Sequence, residues 1–233
     1  MTGAEGIWAV VPVKELGLAK QRLAELVPGA SREALALAML EDVLAAIVAA
    51  LVESPGLAGL AVVTVDPMAS RLAARYGARL VEAGARDGHT GAVAAAARLL
   101  AAEKAAGILA LPGDIPLVTP AEIAAVLRAH RPAPAFTIAP SHDEQGSNAV
   151  LCSPPEAVPL RFGEDSFFPH LRAAEERGIL PTVLRLPGIA LDIDNPQDLR
   201  RFARIERDTR TRGLILAQGL FKARDAAIGG RAG

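Results

Sequence analysis

Of the 233 residues only Cys152 is a cysteine, which excludes an internal disulfide and a Cys-ligated zinc site and leaves a small buried residue as its expected role. Positive charge is not in excess. With 25 basic against 26 acidic residues there is no polybasic surface for nucleic acid or anionic lipid, so a small molecule is the expected partner. Apolar residues make up 51% of the chain, yet Glu41 and Asp42 interrupt the longest apolar helix and Arg98 the next, short of the roughly 20 uninterrupted residues of a membrane span. The first residues carry Glu5 and nothing basic before Lys14, unlike the charged start of a secretory signal. A soluble, cytoplasmic protein is expected. There is no Pro/Gly/Ser linker and no repeat, so one domain over 1–210 is expected, followed by a C-terminal helix and a frayed tail over 211–233. The glycine fingerprints of a Walker P-loop and of a dinucleotide-binding βαβ unit are also missing, which lowers ATPase and dehydrogenase readings.

What is present is an alternation of strand-like and helix-like runs, the sign of βαβ units and a mainly parallel sheet of six or seven strands. Strand-like runs, the candidates for those strands, lie near Ile7 to Val13, Gly59 to Val65, Leu80 to Glu82, Ile108 to Leu111, Phe136 to Ala139, Ala149 to Cys152, Val183 to Leu186 and Ala190 to Ile193. Between them, Ser31 is a candidate cap for a helix running to about Val52, and Gly77 follows a short helix. Thr119-Pro120-Ala121-Glu122 has the spacing of a capping box with proline in the first turn, which predicts a helix over 120–130. Gln145-Gly146-Ser147-Asn148 reads as a polar loop able to bind an anion. Ser166 precedes a helix over 167–177, either as a cap or beside backbone N–H groups that favour phosphate or carboxylate.

Three acids close apolar runs: Asp114 in Leu-Pro-Gly-Asp, and Asp192 and Asp194 in Leu-Asp-Ile-Asp-Asn-Pro. An unpaired carboxylate at a buried strand end is costly, so a cation or donor cluster is expected nearby. On a strand, residues two apart share a face, so Asp192 and Asp194 stand side by side and Mg2+, with Asp114 as third ligand, suits them. The competing reading makes them surface residues that cap the next helix, where Asn195 and Asp198 fit capping positions. Asp66 also ends a strand, but Asp-Pro is an ordinary turn and stays outside the site. Lys14, Lys20 and Arg22 follow the first strand, where an α/β protein commonly meets phosphate, and together they offer the donors a triphosphate needs.

Val11-Pro12-Val13-Lys14, Ala19-Lys20-Gln21-Arg22-Leu23, Leu111-Pro112-Gly113-Asp114-Ile115-Pro116-Leu117, Gly146-Ser147-Asn148-Ala149, Phe162-Gly163 with Ser166-Phe167 and His170, and Leu191-Asp192-Ile193-Asp194 together resemble, in register from about residue 7 to 200, the 2-phospho-L-lactate or phosphoenolpyruvate guanylyltransferases of coenzyme F-420 biosynthesis. The resemblance implies an α/β, single-domain, GT-A-like nucleotidyltransferase fold with a mixed, mainly parallel sheet flanked by helices. It implies transfer of GMP from GTP to a three-carbon phospho-acid (phosphoenolpyruvate, 2-phospho-L-lactate or 3-phosphoglycerate) with release of pyrophosphate. It also implies Mg2+ on Asp114, Asp192 and Asp194, the GTP phosphates on Lys14, Lys20 and Arg22, and the acid near Ser147, Gly163 and Ser166. Lys14, Lys20, Arg22 and Asp114 would be the catalytic residues, and Gly88 joins the nucleotide-binding set. His170 is then a helix residue near the site rather than a catalyst. Ser147 stands where the family usually has threonine, and Asp87-Gly88-His89-Thr90-Gly91 where it usually has Gly-Leu-Asn. The alternatives are a molybdopterin or sugar-phosphate nucleotidyltransferase, an Asp-x-Asp glycosyltransferase, and a non-catalytic binding module; a homodimer through the irregular second half also stays open.

Overall fold

A computed structural model describes residues 5–220 apart from Glu164, with Leu18 described by its backbone alone. In chain order the elements are β1 (Ile7–Pro12), α1 (Gly29–Glu53), β2 (Leu57–Val63), α2 (Pro67–Arg75), β3 (Arg79–Val81), α3 (Gly88–Ala102), β4 (Gly107–Ala110), α4 (Pro120–Ala129), β5 (Ala135–Pro140), β6 (Ser147–Ser153), α5 (Phe167–Glu175), β7 (Thr182–Val183), the single turn α6 (Pro187–Ala190), α7 (Pro196–Ala203) and α8 (Arg210–Ala217). The strands form one sheet in the order β3-β2-β1-β4-β6-β5-β7. Every pairing is parallel except those of β6, which runs antiparallel to both β4 and β5. This is the mixed, mainly parallel sheet that the family resemblance implies.

Helices cover both faces, so the central strands are buried on each side and read as nearly continuous apolar runs. Ala9 and Val11 face one core with Leu40, Leu44, Leu109 and Phe202, while Val10 faces the other with Val93, Ile108, Phe136 and Phe167. Chain order reverses at β1, which lies between β2 and β4. Such switch points open a crevice beyond the strands' carboxyl ends. The 25-residue α1 is long and apolar enough to cross a membrane by length and composition, but here it packs one face on the sheet, with Leu40, Val43, Leu44 and Ile47 buried.

Local signals hold where chemistry fixes them. Thr119 and Glu122 form the expected capping box on α4, and Asn195 and Asp198 form one on α7. Gly77 takes φ +68° just after α2, the left-handed conformation that a side chain would strain. Cys152 is buried on β6. Other expectations need correction. Ala190 ends the short turn α6, and residues 191–194 are extended but belong to no strand of the sheet, so Asp192 and Asp194 alternate with buried Leu191 and Ile193 without ladder partners. Ser147 and Asn148 open β6 rather than lying in a loop. Proline breaks the first helix's expected start: α1 begins at Gly29 behind Pro28, ahead of Ser31. The C-terminal α8 is tied to α1, because buried Asp42 accepts from the N–H groups of Arg210 and Thr211 at 2.9 Å each and from the Thr211 hydroxyl at 2.7 Å. The expected frayed end, Gly-Gly-Arg-Ala-Gly, lies outside the described residues.

Candidate active site

The crevice at the switch point is a cleft of about 980 Å3. Lys14, Lys20, Arg22, Gly88, Asp114, Ser147, Gly163, Ser166, Asp192 and Asp194, far apart in sequence, all line it. They arrive on separate segments of the chain, Gly88 at the start of α3. The loop after β1 brings the cations, the turn after β4 brings Asp114, β6 opens on Ser147, the approach to α5 gives Gly163 and Ser166, and the extended segment before α7 gives the paired aspartates.

Lys20 is the hub. It sits between two short 3-10 turns with φ +55° and ψ +38°, a left-handed conformation that costs a side-chain-bearing residue about 1 kcal/mol. Its ammonium lies 2.5 Å from Asp114 Oδ2 and 2.6 Å from Asp194 Oδ1. The loop is held so that the side chain must point inward: Leu16 and Leu23 are buried, and the Leu16 N–H donates to Asp66 Oδ2 at 2.9 Å. Asp66 itself caps α2 through Oδ1, so it serves the scaffold as expected. Burial alone would depress the Lys20 ammonium, but Asp114 and Asp194 hold it above the ordinary lysine range.

The acids do converge. The Ile193 N–H donates to the Asp114 carbonyl at 3.1 Å, pinning the two segments together. Asp192 Oδ1 accepts from Asn148 Nδ2 at 3.0 Å, and Asn148 also donates to the carbonyl of Ile189. Burial, then the charge of Asp114 with a smaller part from Asp194, pushes Asp192 up to about 6 against the pull of Asn148. Burial would raise Asp194 too, but Lys20 and Arg22 draw it below the usual carboxylate range. The cluster is therefore short of positive charge on its Asp192 side. Among the described residues no three His, Cys, Asp or Glu side chains stand close enough to hold a metal ion as they are. The donor set nevertheless fits a hard divalent cation: it is oxygen-only, and its negative charge outweighs the ammonium between its members.

Neutral hydroxyl and imidazole groups line the cleft as well. Ser166 precedes α5 without capping it. Its hydroxyl instead donates to Ser147 Oγ at 3.2 Å, and Ser147 Oγ lies 2.9 Å from His170 Nδ1. Thr90, in the first turn of α3, ties that helix to the segment before α5, since Phe162 N–H donates to Thr90 Oγ1 at 2.9 Å. His89 stacks on Phe162 with ring centroids 4.4 Å apart, and burial holds it down to about 4 despite nearby Asp114. Arg86, His89 and Asn148 also line the cleft, and of these the sequence points only to Asn148, as part of the polar run Gln145 to Asn148. Asn148 follows Ser147 in a motif visible there, whereas nothing local distinguishes Arg86.

Residues 7–219 match the family described as guanylyl transferase CofC like. The phosphoenolpyruvate guanylyltransferase of Rubrobacter xylanophilus is 41% identical over 198 residues, covering 84% of this chain and 92% of that protein. The 3-phospho-D-glycerate guanylyltransferase of Colwellia psychrerythraea is 36% identical over 195 residues, covering 83% and 90%. In fold, the CTP complex of CMP:2-keto-3-deoxy-manno-octonic acid synthetase superposes with a TM-score of 0.56 at 13% identity, over 92% of this chain and 100% of that one. By match over most of its length and by the sheet and cleft it builds, the chain belongs to the guanylyl transferase CofC-like family.

Proposed function

We propose that this protein transfers GMP from GTP to a three-carbon phospho-acid, releasing pyrophosphate, in the cytoplasmic biosynthesis of the deazaflavin coenzyme F-420. The observation that carries the reading is the Lys20 ammonium between Asp114 and Asp194, in a cleft that faces basic and hydroxyl donors. The family relatives are named for phosphoenolpyruvate and for 3-phospho-D-glycerate, acids that share a phosphate and a carboxylate on three carbons.

In this reading a phosphate oxygen of the acid attacks the α-phosphorus of GTP, a new P–O bond forms, and the bond to the β-phosphate breaks with its electrons leaving on pyrophosphate. An ionised phosphate is already nucleophilic, so positioning and charge neutralisation suffice and no general base is required. Both ring nitrogens of His170 are engaged within the protein, which suits that absence. Lys20 has three ammonium donors, of which Asp114 and Asp194 take two, leaving one for a phosphate oxygen. Lys14 and Arg22 add charge at the same mouth, and the Gly88 end of α3 borders it. Asp114, Asp192 and Asp194 would hold Mg2+, which when bound neutralises phosphate charge and orients the triphosphate. Ser147, Gly163 and Ser166 would receive the acid.

Pyrophosphate measured after incubation with Mg2+, each of the four nucleoside triphosphates and each candidate acid tests the proposal. Release with GTP and one of the three acids is expected, and silence with every pair would remove the enzymatic reading. Sugar transfer without pyrophosphate would instead identify the Asp-x-Asp glycosyltransferase. Phe168 and Leu180, exposed on the second half, are the apolar side chains a homodimer there would cover, and sedimentation velocity tests for one.

A further inference from the structure

Resting on the guanylyl-transfer reading above, we propose that His170 is a positioning residue whose Nδ1–H fixes the Ser147–Ser166 hydroxyl pair as a hydrogen-bond donor to the anionic acceptor acid. His170 lies on α5 and is 1% exposed. The backbone N–H of Arg161 points at Nε2 from 2.9 Å. A backbone amide can only donate, so Nε2 is an acceptor and the single proton of the neutral ring sits on Nδ1. Nδ1 then donates across its 2.9 Å to Ser147 Oγ.

The consequence follows from counting protons. Ser147 and Ser166 carry two hydroxyl hydrogens, and their oxygens are 3.2 Å apart. One hydrogen joins the two oxygens, in whichever direction. Because His170 already donates into the pair, the second hydrogen finds no acceptor on His170, and among the described residues no other acceptor bonds either hydroxyl. Both serines line the cleft, so that hydrogen is left for a ligand, and it suits a carboxylate or phosphate oxygen. The opposite tautomer would reverse the polarity. Ser147 would donate to Nδ1, Ser166 would donate to Ser147, and the pair would offer only lone pairs to an anion. The Arg161 amide thus sets the sign of this wall of the cleft, with the imidazole as the relay.

The ring is held for the task. Phe162 meets it edge-on with centroids 5.1 Å apart and Phe136 lies at 6.2 Å, which opposes a ring flip. Burial, aided by His89, holds the imidazole down to about 4, so the ring is neutral near pH 7.

Two measurements test the proposal. Histidine side-chain 15N shifts of the wild-type protein should show His170 as the neutral Nδ1–H tautomer between about pH 6 and 8; an Nε2–H ring would overturn the proposal whatever the activity. In kinetics, His170→Phe, which keeps a ring but no donor, should raise the KM for the acid by about tenfold to hundredfold with the KM for GTP held within about twofold. His170→Asn, whose amide nitrogen can replace Nδ1, should recover most of that loss. In a Ser147→Ala background His170→Phe should add nothing, and a full multiplicative loss there would refute action through Ser147. A wild-type protein with the Nδ1–H ring but no pyrophosphate release with any pair would overturn the guanylyl-transfer reading, a failure distinct from the wrong tautomer.

Discussion

Replacing Lys20 by methionine keeps the length of the side chain and removes its charge, which isolates what the ammonium does. Losing one partner of a buried pair costs about 3–5 kcal/mol. Asp114 and Asp194 are 27% and 50% exposed here, so water resolvates part of what the ammonium held, and we expect a loss nearer about 2 kcal/mol in metal-free buffer. For a chain of this size that is a melting temperature lower by about 4–8 °C. The sign of the pH dependence follows from the two shifts. Lys20 is raised, so its contribution is complete below the unfolded lysine value and is lost only as pH climbs past it; Asp194 is lowered, so its contribution is complete above the unfolded carboxylate value and is lost as pH falls below it. The deficit should therefore be flat between about pH 5 and 9. Mg2+ must compete with the wild-type ammonium for Asp114 and Asp194 but meets no competitor in Lys20→Met, so added Mg2+ should raise the variant's melting temperature more than the wild type's. Turnover with GTP and the acid should fall by about hundredfold, the scale of one lost charge-assisted contact in a transition state. Differential scanning fluorimetry with and without Mg2+, beside a pyrophosphate assay, reads all three. Equal Mg2+ shifts for the two proteins, or an unchanged melting temperature, would refute the placement of Lys20 as the internal counter-cation.

Asp192→Asn should abolish turnover and yet raise the metal-free melting temperature at pH 7, because it removes an ionised carboxylate that burial and Asp114 push up to about 6. Since the folded state takes up that proton before the unfolded chain, wild-type stability should rise as pH falls from about 6 to about 4, and the variant should lose this component; a variant less stable than wild type at pH 7 would contradict it. Asp42→Ala removes the acceptor of three hydrogen bonds that anchor α8 to α1. It should cost about 3 kcal/mol, read by urea unfolding, and leave turnover at 25 °C within about twofold of wild type, because neither Asp42 nor any residue of α8 lines the cleft.

The sequence reveals most where chemistry is local. Pro120 behind Thr119 and Pro196 behind Asn195 announce helix starts because the cap, the fixed φ and the returning Glu122 or Asp198 all lie within four residues. The strand-end position of Asp114 was legible for a similar reason: Gly107–Ala110 is wholly apolar and the Pro-Gly turn must end it. The run before Asn195 reads as a strand in the sequence because apolar and polar residues alternate there, while ladder pairing depends on a neighbour the sequence does not display. Ser166 shows the same limit, since whether it caps α5 or bonds Ser147 is decided by a residue 19 positions away. The bridging place of Lys20 depends on a left-handed backbone at a non-glycine residue, which no residue type signals. Asp42, read as an interruption of an apolar helix, proved to be the anchor of a segment 168 residues on.

The chemistry itself is read most directly by 31P NMR of the protein with Mg2+, GTP and phosphoenolpyruvate, 2-phospho-L-lactate or 3-phosphoglycerate. Guanylyl transfer requires that free pyrophosphate grow in step with a coupled pair of diphosphate resonances joining GMP to the acid's own phosphate, and that neither grow with Asp192→Asn. GTP that stays intact with every acid, or breaks down without the coupled pair, would contradict the assignment.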